Sequence, residues 1–319
     1  MIPRPALPAV AALAVALAAA GCGPGEGKTA AAKGAPTVAL VMKSLANEFF
    51  KTMEDGAKAH QEKHAAEYTL LANGIKDEQD VARQINLIEQ MIAQRVSALV
   101  VAPADSKAIV PVCKKALDAG IVVVNIDNKL DADAMKEKGV TIPFVGPDNR
   151  KGARLAGEHL AKTLKAGDPV AIVEGLPTAF NGIQRKIGFE DALGAAGLKV
   201  VSSQSGRWEM AKGEQVVAAM IQEHPELKAV LCANDNMALG AVAALKAAGK
   251  LAAVKVAGFD NIQAVQALVK SGEILCTVDQ HADQIAVYGI EHALAILKTK
   301  GAAADKETPV DLVTAESLK

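Results

Sequence analysis

The chain has 319 residues, half of them apolar, and a formal net charge of −1 at pH 7. That length accommodates roughly two domains of ~150 residues each, with enough apolar side chains for a sizeable core. Lys and Arg balance Asp and Glu along the chain, which excludes a nucleic-acid-binding surface as the basis of function.

The N-terminal segment has the pattern of an export signal. Arg4 is a short basic start, residues 9–20 form an apolar run too short to span a bilayer, and small residues precede Cys22. This pattern predicts cleavage before Cys22 and lipid attachment to its thiol. Residues 1–21 are then the signal peptide, and residues 22–36 are a lipid-anchored tether. A secretory signal peptide with a chance cysteine is the alternative. Both predict an exported protein of the periplasm or cell envelope.

The remaining cysteines are Cys113, Cys232 and Cys276. Their odd number argues against a full disulfide framework, and we expect buried free thiols, with a Cys232–Cys276 bridge as the alternative. Their spacing does not match a metal site, and the sequence predicts neither a metal nor a cofactor.

From Pro36 onward, short apolar or β-branched runs alternate with longer segments of helical periodicity. The first half has predicted strands at 38–42, 68–72, 98–102 and 122–126, and predicted helices at 49–64, 78–95 and 106–119. This alternation predicts parallel strands with helices on both faces of the sheet. A charged, irregular connection at 131–139 then leads to a strand at 141–145 and a turn at 146–149.

The same pattern restarts in the second half. Predicted strands at 170–174, 199–203, 229–232 and 255–258 alternate with helices at 181–196, 212–223, 235–248 and 262–270. A strand at 275–278, a helix at 285–298 and a strand at 310–313 follow. We therefore expect two similar doubly wound α/β domains joined by several crossing segments, with a cleft between them. The domains divide as 37–147 plus 281–310 and 148–280 plus 311–319.

Polar and aromatic side chains follow most of the predicted strands. The first exit offers Lys43 and Asn47 with Phe49 and Phe50, and later exits supply Asp127, Asn149, Arg185, Trp208, Asn234, Asp260 and Gln280. Ligands of open parallel sheets collect at these strand ends. Each residue also has a structural alternative, because Asp and Asn favour turns and helix N-caps, and aromatic residues anchor cores.

The set as a whole favours a small neutral sugar or polyol as ligand. Carboxylates, amides and a guanidinium supply both acceptors and donors, and every hydroxyl of a sugar needs both. Aromatic faces cover the C–H faces of a sugar ring.

Several segments resemble type I periplasmic sugar-binding proteins of the ribose-binding group, and among these the allose-binding type. They are LVMKSLANEFF, VVVNIDNKLDADAMKEKG, VAIVEG, LCANDNMALGA, VAGFDN and TVDQHADQI. The resemblance covers about 38–318. It implies that the eleven residues named above contact the ligand: Lys43, Asn47, Phe49, Phe50, Asp127, Asn149, Arg185, Trp208, Asn234, Asp260 and Gln280. Two residues depart from the family pattern: Glu48 replaces a usual proline, and Asn128 replaces an arginine or glutamate.

The resemblance also implies a mode of action. The sugar stabilises a closed form, and that form docks on the permease of an ABC importer. We expect a monomer that touches the membrane only through a lipid anchor. The alternatives within this fold are a receptor for a polyol or non-sugar ligand and a receptor that presents its ligand to a chemoreceptor.

Two other classes of function are disfavoured by the sequence. An enzyme could use the cleft aspartates as acid and base, but no nucleophile elbow, phosphate loop or metal-ligand spacing accompanies them. A sugar-responsive repressor would need an N-terminal DNA-binding segment, and this chain has an export signal there. We therefore expect a receptor and not an enzyme.

Overall fold

The computed structural model describes Met1, residues 34–301 and residues 303–319. The predicted signal peptide, Cys22 and most of the predicted tether lie outside these residues. Across the described part of the chain, none of the helices combines the length and the apolar character needed to cross a membrane.

Strands and helices alternate along almost the whole described chain. The strands are β1 (Thr37–Ser44), β2 (Thr69–Ile75), β3 (Ala98–Val101), β4 (Val122–Ile126), β5 (Phe144–Pro147), β6 (Pro169–Glu174), β7 (Lys199–Ser205), β8 (Ala229–Cys232), β9 (Lys255–Ala257), β10 (Cys276–Asp279), β11 (Lys306–Thr308) and β12 (Asp311–Thr314). The helices are α1 (Glu48–Lys63), α2 (Val81–Ala93), α3 (Val110–Asp118), α4 (Ala132–Glu137), α5 (Asn149–Ala161), α6 (Phe180–Ala195), α7 (Met210–Glu223), α8 (Asp235–Ala247), α9 (Gln263–Ser271) and α10 (Ala282–Thr299).

The strands form two six-stranded sheets of like layout. The first sheet has the order β11-β5-β4-β3-β1-β2 and the second has the order β12-β10-β9-β8-β6-β7. All neighbouring pairs are parallel except β10 and β12, which are antiparallel. The central strands β3 and β8 are buried at every residue, because helices cover both faces of each sheet. The predicted pair of doubly wound domains is therefore confirmed.

Three segments cross from one sheet to the other. The chain leaves the first sheet after β5 and enters α5, which packs on the second sheet. It returns between β10 and α10, where Gly289 of α10 lies against Val100 and Ile126 of the first sheet. It crosses a third time between β11 and β12. These crossings form the multi-strand connection that the sequence predicts.

Three elements were missed by the sequence prediction. The predicted turn at 146–149 is wrong at its end, because Asn149 begins α5 and Asp148 caps that helix by accepting from the Lys151 amide. The buried face of α5 consists largely of Gly and Ala, which do not give an apolar periodicity. Helix α4 lies in the segment expected to be irregular, and β11 was not predicted. Cys113, Cys232 and Cys276 are free and buried, as expected.

Candidate ligand-binding site

A cavity lies between the two sheets, at the carboxyl ends of their strands. Its walls are formed by Lys43, Asn47, Phe49, Phe50, Glu78, Asp127, Asn181, Arg185, Trp208, Asn234, Asp260 and Gln280. Every residue that the sequence predicts for the site is among them except Asn149.

The first sheet supplies its side chains from the end of β1 and the start of α1. Asn47 is the N-cap of α1: its Oδ1 accepts from the Phe49 amide at 3.1 Å, and its Nδ2 donates to Glu78 Oε1 at 3.0 Å. Phe49 and Phe50 form an edge-to-face pair with ring centroids 5.1 Å apart. Both rings also belong to the hydrophobic core. The two rings therefore pack in the core and also line the cavity.

A buried ion pair forms part of the cavity wall. Lys43 Nζ lies 3.2 Å from Asp127 Oδ2, and both side chains are almost fully buried. Neither carboxylate oxygen of Asp127 has a hydrogen-bond partner within the described residues. Asp127 has φ 61°, a left-handed conformation that costs free energy in a non-glycine residue and that occurs preferentially at functional sites. The carboxylate is thus available to accept hydrogen bonds from a ligand.

Arg185 of α6 makes several hydrogen bonds on the side of the cavity formed by the second sheet. Its Nε donates to Asn149 Oδ1 at 2.8 Å, and its Nη1 donates to the Ala233 carbonyl at 2.8 Å and to Asp260 Oδ1 at 3.4 Å. The guanidinium carbon lies 3.7 Å from the centroid of the Phe259 ring. Asn149 therefore lies behind Arg185 and orients it, instead of lining the cavity.

Asp260 is the partner carboxylate on this side. Gln280 Nε2 donates to Asp260 Oδ1 at 2.7 Å, and Gln280 Oε1 has no partner among the described residues. Burial raises the pKa of Asp260 well above its usual range, and the Arg185 guanidinium opposes that rise. Burial likewise lowers the pKa of Arg185, and the charge of the Asp260 carboxylate opposes that change. The two side chains thus form a buried, mutually compensating pair.

Trp208 supplies the largest apolar wall. The ring packs on Gly175 and Gly182, where a Cβ atom would collide with the indole. Asn234 holds the segment in place: its Nδ2 donates to the Trp208 carbonyl at 3.2 Å, while its Oδ1 caps α8 by accepting from the Met237 amide at 2.9 Å. The indole Nε1 has no hydrogen-bond partner within the described part of the chain.

Two lining residues, Glu78 and Asn181, are absent from the site predicted by sequence. Glu78 follows β2, which lies at the edge of the first sheet, and its position in the sequence is the start of the predicted helix 78–95. Asn181 follows β6 at a strand end, a signal that could have identified it. Asn128, noted for its departure from the family, does not line the cavity; its Oδ1 accepts from the Asn181 amide at 3.1 Å.

Hydrogen bonds join the two halves around the mouth of the cavity. The Ser106 amide donates to the Thr178 carbonyl at 3.1 Å, Gln79 Nε2 donates to Glu209 Oε1 at 3.0 Å, and the Gln263 amide donates to Glu48 Oε1 at 2.6 Å. The structure is therefore a closed form.

Within the described residues, no group of His, Cys, Asp and Glu is arranged to hold a metal ion. The cavity chemistry is instead that of paired charges, amides and aromatic rings. It can bind a small polar, uncharged molecule through many hydrogen bonds.

Comparisons with known proteins agree with this geometry. A family model described as a periplasmic binding protein domain matches residues 38–301. The D-ribose/D-allose-binding protein of Pseudomonas aeruginosa is 60% identical over 284 residues, which cover 88% of this chain and 89% of that protein.

Two solved structures are also similar. A solute-binding protein of an ABC transporter from Burkholderia multivorans superposes with a TM-score of 0.87 at 59% identity, over 88% of this chain and 100% of that one. A solute-binding protein from Actinobacillus succinogenes with bound D-allose gives a TM-score of 0.84 at 34% identity, over 89% and 99%. The chain belongs to the periplasmic binding protein family and is a solute-binding protein, not an enzyme.

Proposed function

We propose that the protein binds an aldose such as ribose or allose in the closed cavity, as the substrate-binding component of an ABC sugar importer. The observation that carries this proposal is the composition of the cavity wall. Two buried ion pairs, Lys43–Asp127 and Arg185–Asp260, stand beside the rings of Phe49, Phe50 and Trp208. The similarity to a D-ribose/D-allose-binding protein supports the same ligand class.

The proposed site divides its work between polar and aromatic residues. Asp127, Asp260 and the Gln280 carbonyl accept hydrogen bonds from sugar hydroxyls, while Lys43, Arg185 and the amides of Asn47 and Asn234 donate them. Phe49, Phe50 and Trp208 cover the C–H faces of the ring. Asn149 is proposed to act through Arg185. A sugar that lacks one hydroxyl would leave a buried group unpaired, which gives the site its selectivity.

Closure couples binding to import. The sugar contacts residues of both sheets, so it stabilises the form in which they approach each other. We expect a monomeric receptor of the periplasm whose closed surface is recognised by a permease. A chemoreceptor would contact the same closed surface, and it is the alternative partner.

Lipid attachment at Cys22 would hold the receptor near the membrane, although one lipid signal alone is a modest anchor. Mass spectrometry of the mature protein tests this part, since a Cys22→Ala variant would lack the diacylglyceryl mass and leave the membrane fraction. An unmodified Cys22 in the mature protein would refute the anchor without affecting sugar binding.

A thermal-shift screen of residues 37–319 against aldopentoses, aldohexoses and inositols tests the ligand. Ligand at ~100 times its Kd adds about 2.7 kcal/mol of stability. A large shift with ribose or allose, followed by calorimetric titration, supports the proposal. Shifts with an inositol alone would favour a polyol receptor, and no shift across the panel would contradict a sugar ligand.

A further inference from the structure

Glu78 is a buried carboxyl group at the junction of two spaces. It lies between β2 and α2 with only 6% of its surface exposed. It lines the inner cavity together with Lys43 and Asp127. It also lines an outer groove, whose wall shares Asn47 and Trp208 with the cavity. A sugar in the cavity would therefore meet this side chain directly.

The ion pairs of the cavity leave Glu78 without a cation. Lys43 is paired with Asp127 at 3.2 Å, and Arg185 is paired with Asp260 at 3.4 Å. Among the described residues, no Lys, Arg or His nitrogen lies within 4.0 Å of the Glu78 carboxyl. Its side-chain partner is the neutral Asn47 amide at 3.0 Å. A buried carboxylate without a cation is costly, so the neutral acid is favoured.

The Asn47 contact also fixes which oxygen carries the proton. Asn47 Oδ1 accepts from the Phe49 amide, which orients its Nδ2 toward Glu78 Oε1. In a neutral carboxyl group the carbonyl oxygen is the better acceptor. This contact therefore favours the hydroxyl at Oε2, which has no contact with Asn47.

We propose that Glu78 is a further sugar-contacting residue, which donates a hydrogen bond from its neutral carboxyl group to a sugar oxygen. This inference rests on the proposed function and adds a neutral donor to the donors that Lys43 and Arg185 supply as cations. Because a carboxylic acid can both donate and accept, it matches a hydroxyl group or the ring oxygen. Selectivity at this end of the cavity then depends on the proton of Glu78.

The electrostatics of the pocket are consistent with a proton held near neutral pH. Burial raises the pKa of Glu78 to about 7, the Lys43 charge and the Asn47 hydrogen bond oppose the rise, and the Asp127 charge adds to it. The charged groups around Glu78 are Lys43, Asp127, Arg185 and Asp260 in the cavity and Lys76, Asp77 and Glu209 in the outer groove.

The sign of the pH effect follows from the neutral form. The value of about 7 belongs to the closed form, in which Glu78 is buried. In the open, free form the carboxyl is more exposed and its pKa is lower, whereas a hydrogen bond donated to a sugar raises it further in the bound form. Above the pKa of the open form the protein must take up a proton to bind, so we expect affinity to weaken as pH rises from that pKa to the pKa of the sugar-bound form, by at most tenfold per pH unit for one required proton.

Calorimetric titration of a sugar that gives a thermal shift, at pH 5.5 to 8.5, tests the inference. The native protein should lose affinity several-fold between pH 6 and 8.5. Glu78→Gln, which keeps a neutral donor, should bind with a flat profile, and Glu78→Ala should bind at least tenfold more weakly at pH 6. Asp77→Asn changes the exposed neighbouring carboxylate and should keep the native slope. Thermal melts establish that each variant is folded.

A second measurement uses buffers of different ionisation enthalpy. At pH 8 the native protein should take up a fraction of a proton on binding, and Glu78→Gln should not. Three outcomes would each overturn the role of Glu78 while leaving sugar binding intact. They are an affinity of the native protein that does not change with pH, a native pH dependence in Glu78→Gln, and native affinity in Glu78→Ala. A native protein that binds none of the sugars would overturn both this inference and the proposed function.

Discussion

Three residues of the cavity wall share an unusual backbone conformation. Asp127, Trp208 and Asp260 have φ values of 61°, 69° and 124°. Positive φ in a residue other than glycine costs ~1–3 kcal/mol and persists only where the surroundings enforce it. Asp127 directly follows β4, and Trp208 and Asp260 each lie three residues beyond the ends of β7 and β9; all three side chains line the cavity. The strands therefore position the ligand-facing groups.

At this scale the clearest test is Asp260. We expect Asp260→Asn to weaken sugar binding at least 100-fold, because a charged acceptor is replaced beside Arg185. Asp260→Ala should bind no measurable sugar. Isothermal titration gives the affinities, and circular dichroism confirms the fold. Asp118→Asn, at an exposed site on α3, is the matched control and should bind normally; retained affinity in Asp260→Ala would remove Asp260 from the site.

Trp208 provides an optical report on the same cavity. It is the sole tryptophan of the chain, so the whole indole emission comes from the cavity wall. A sugar that packs against the ring changes the polarity of the surroundings of the indole. We therefore expect the intensity or the wavelength of the emission to shift when the site is saturated. Trp208→Phe should remove the signal and keep part of the affinity. An unchanged spectrum with a ligand proven by calorimetry would contradict stacking on Trp208.

At the scale of elements, two helix N-termini explain why the sequence allowed both a capping and a ligand-binding interpretation of the same residues. Asn47 and Asn234 cap α1 and α8 through Oδ1, and both residues also line the cavity. The turn-and-cap interpretation is therefore correct for these two residues and is compatible with the predicted ligand contact. One side chain serves both purposes because the helices of this fold start at the strand ends where the ligand site lies.

Helix α9 shows a cap supplied by the opposite half. Its N-cap residue, Ile262, offers no side-chain oxygen, and the Gln263 amide donates instead to Glu48 of α1. The carboxylate also meets the positive end of the helix dipole. This contact forms across the mouth, so it stabilises the closed form without touching the ligand. The residue that departs from the family pattern thus contributes to closure.

We expect Glu48→Ala to raise the sugar Kd about two- to fivefold, the range of a helix-dipole charge interaction of 0.3–1 kcal/mol. The change should lie in a faster dissociation rate, measured by stopped-flow Trp208 fluorescence. Glu48→Gln keeps an acceptor and should show a smaller effect, and high salt should reduce the native advantage. Equal dissociation rates in the native protein and Glu48→Ala would rule out this contribution.

The sequence predicted most of this fold and most of the residues that line the cavity, and the misses have physical causes. The layers of helices and sheet were predictable from sequence, because buried parallel strands are continuously apolar and alternate with helical segments. Helix α5 was missed because Gly152, Ala153, Ala156 and Gly157 bury a face without large side chains. Glu78 was missed as a lining residue because its burial in the cavity wall cannot be deduced from sequence. Asn149 does not line the cavity but accepts from Arg185, and a family resemblance does not separate these two positions.

For the whole molecule, we propose that the halves divide at the three crossings, as 37–147 with 281–310 and 148–280 with 311–319. His281 lies at one crossing and joins another: its ring nitrogen Nε2 lies 2.7 Å from Asp311 Oδ2. Rotation about short crossing segments opens the cavity without disturbing either core. The mouth contacts described above would then be the ones that break.

Small-angle scattering measures this motion. We expect the radius of gyration of the native protein to fall when a binding sugar is added, because closure brings the halves together. Asp260→Ala should scatter as the open form with or without sugar. Identical curves for the native protein with and without a proven ligand would contradict hinge closure as the binding step.

The buried thiols have a practical consequence. Cys113, Cys232 and Cys276 are all inaccessible, and burial raises the pKa of the Cys113 and Cys276 thiols to about 12. Maleimides react with exposed thiolates, so they should leave these residues unmodified. A form that starts at residue 37 could therefore carry one added cysteine at the mouth, such as Gln79→Cys, as its sole labelling position. A dye attached there would sense closure and turn the receptor into a reagentless sugar sensor.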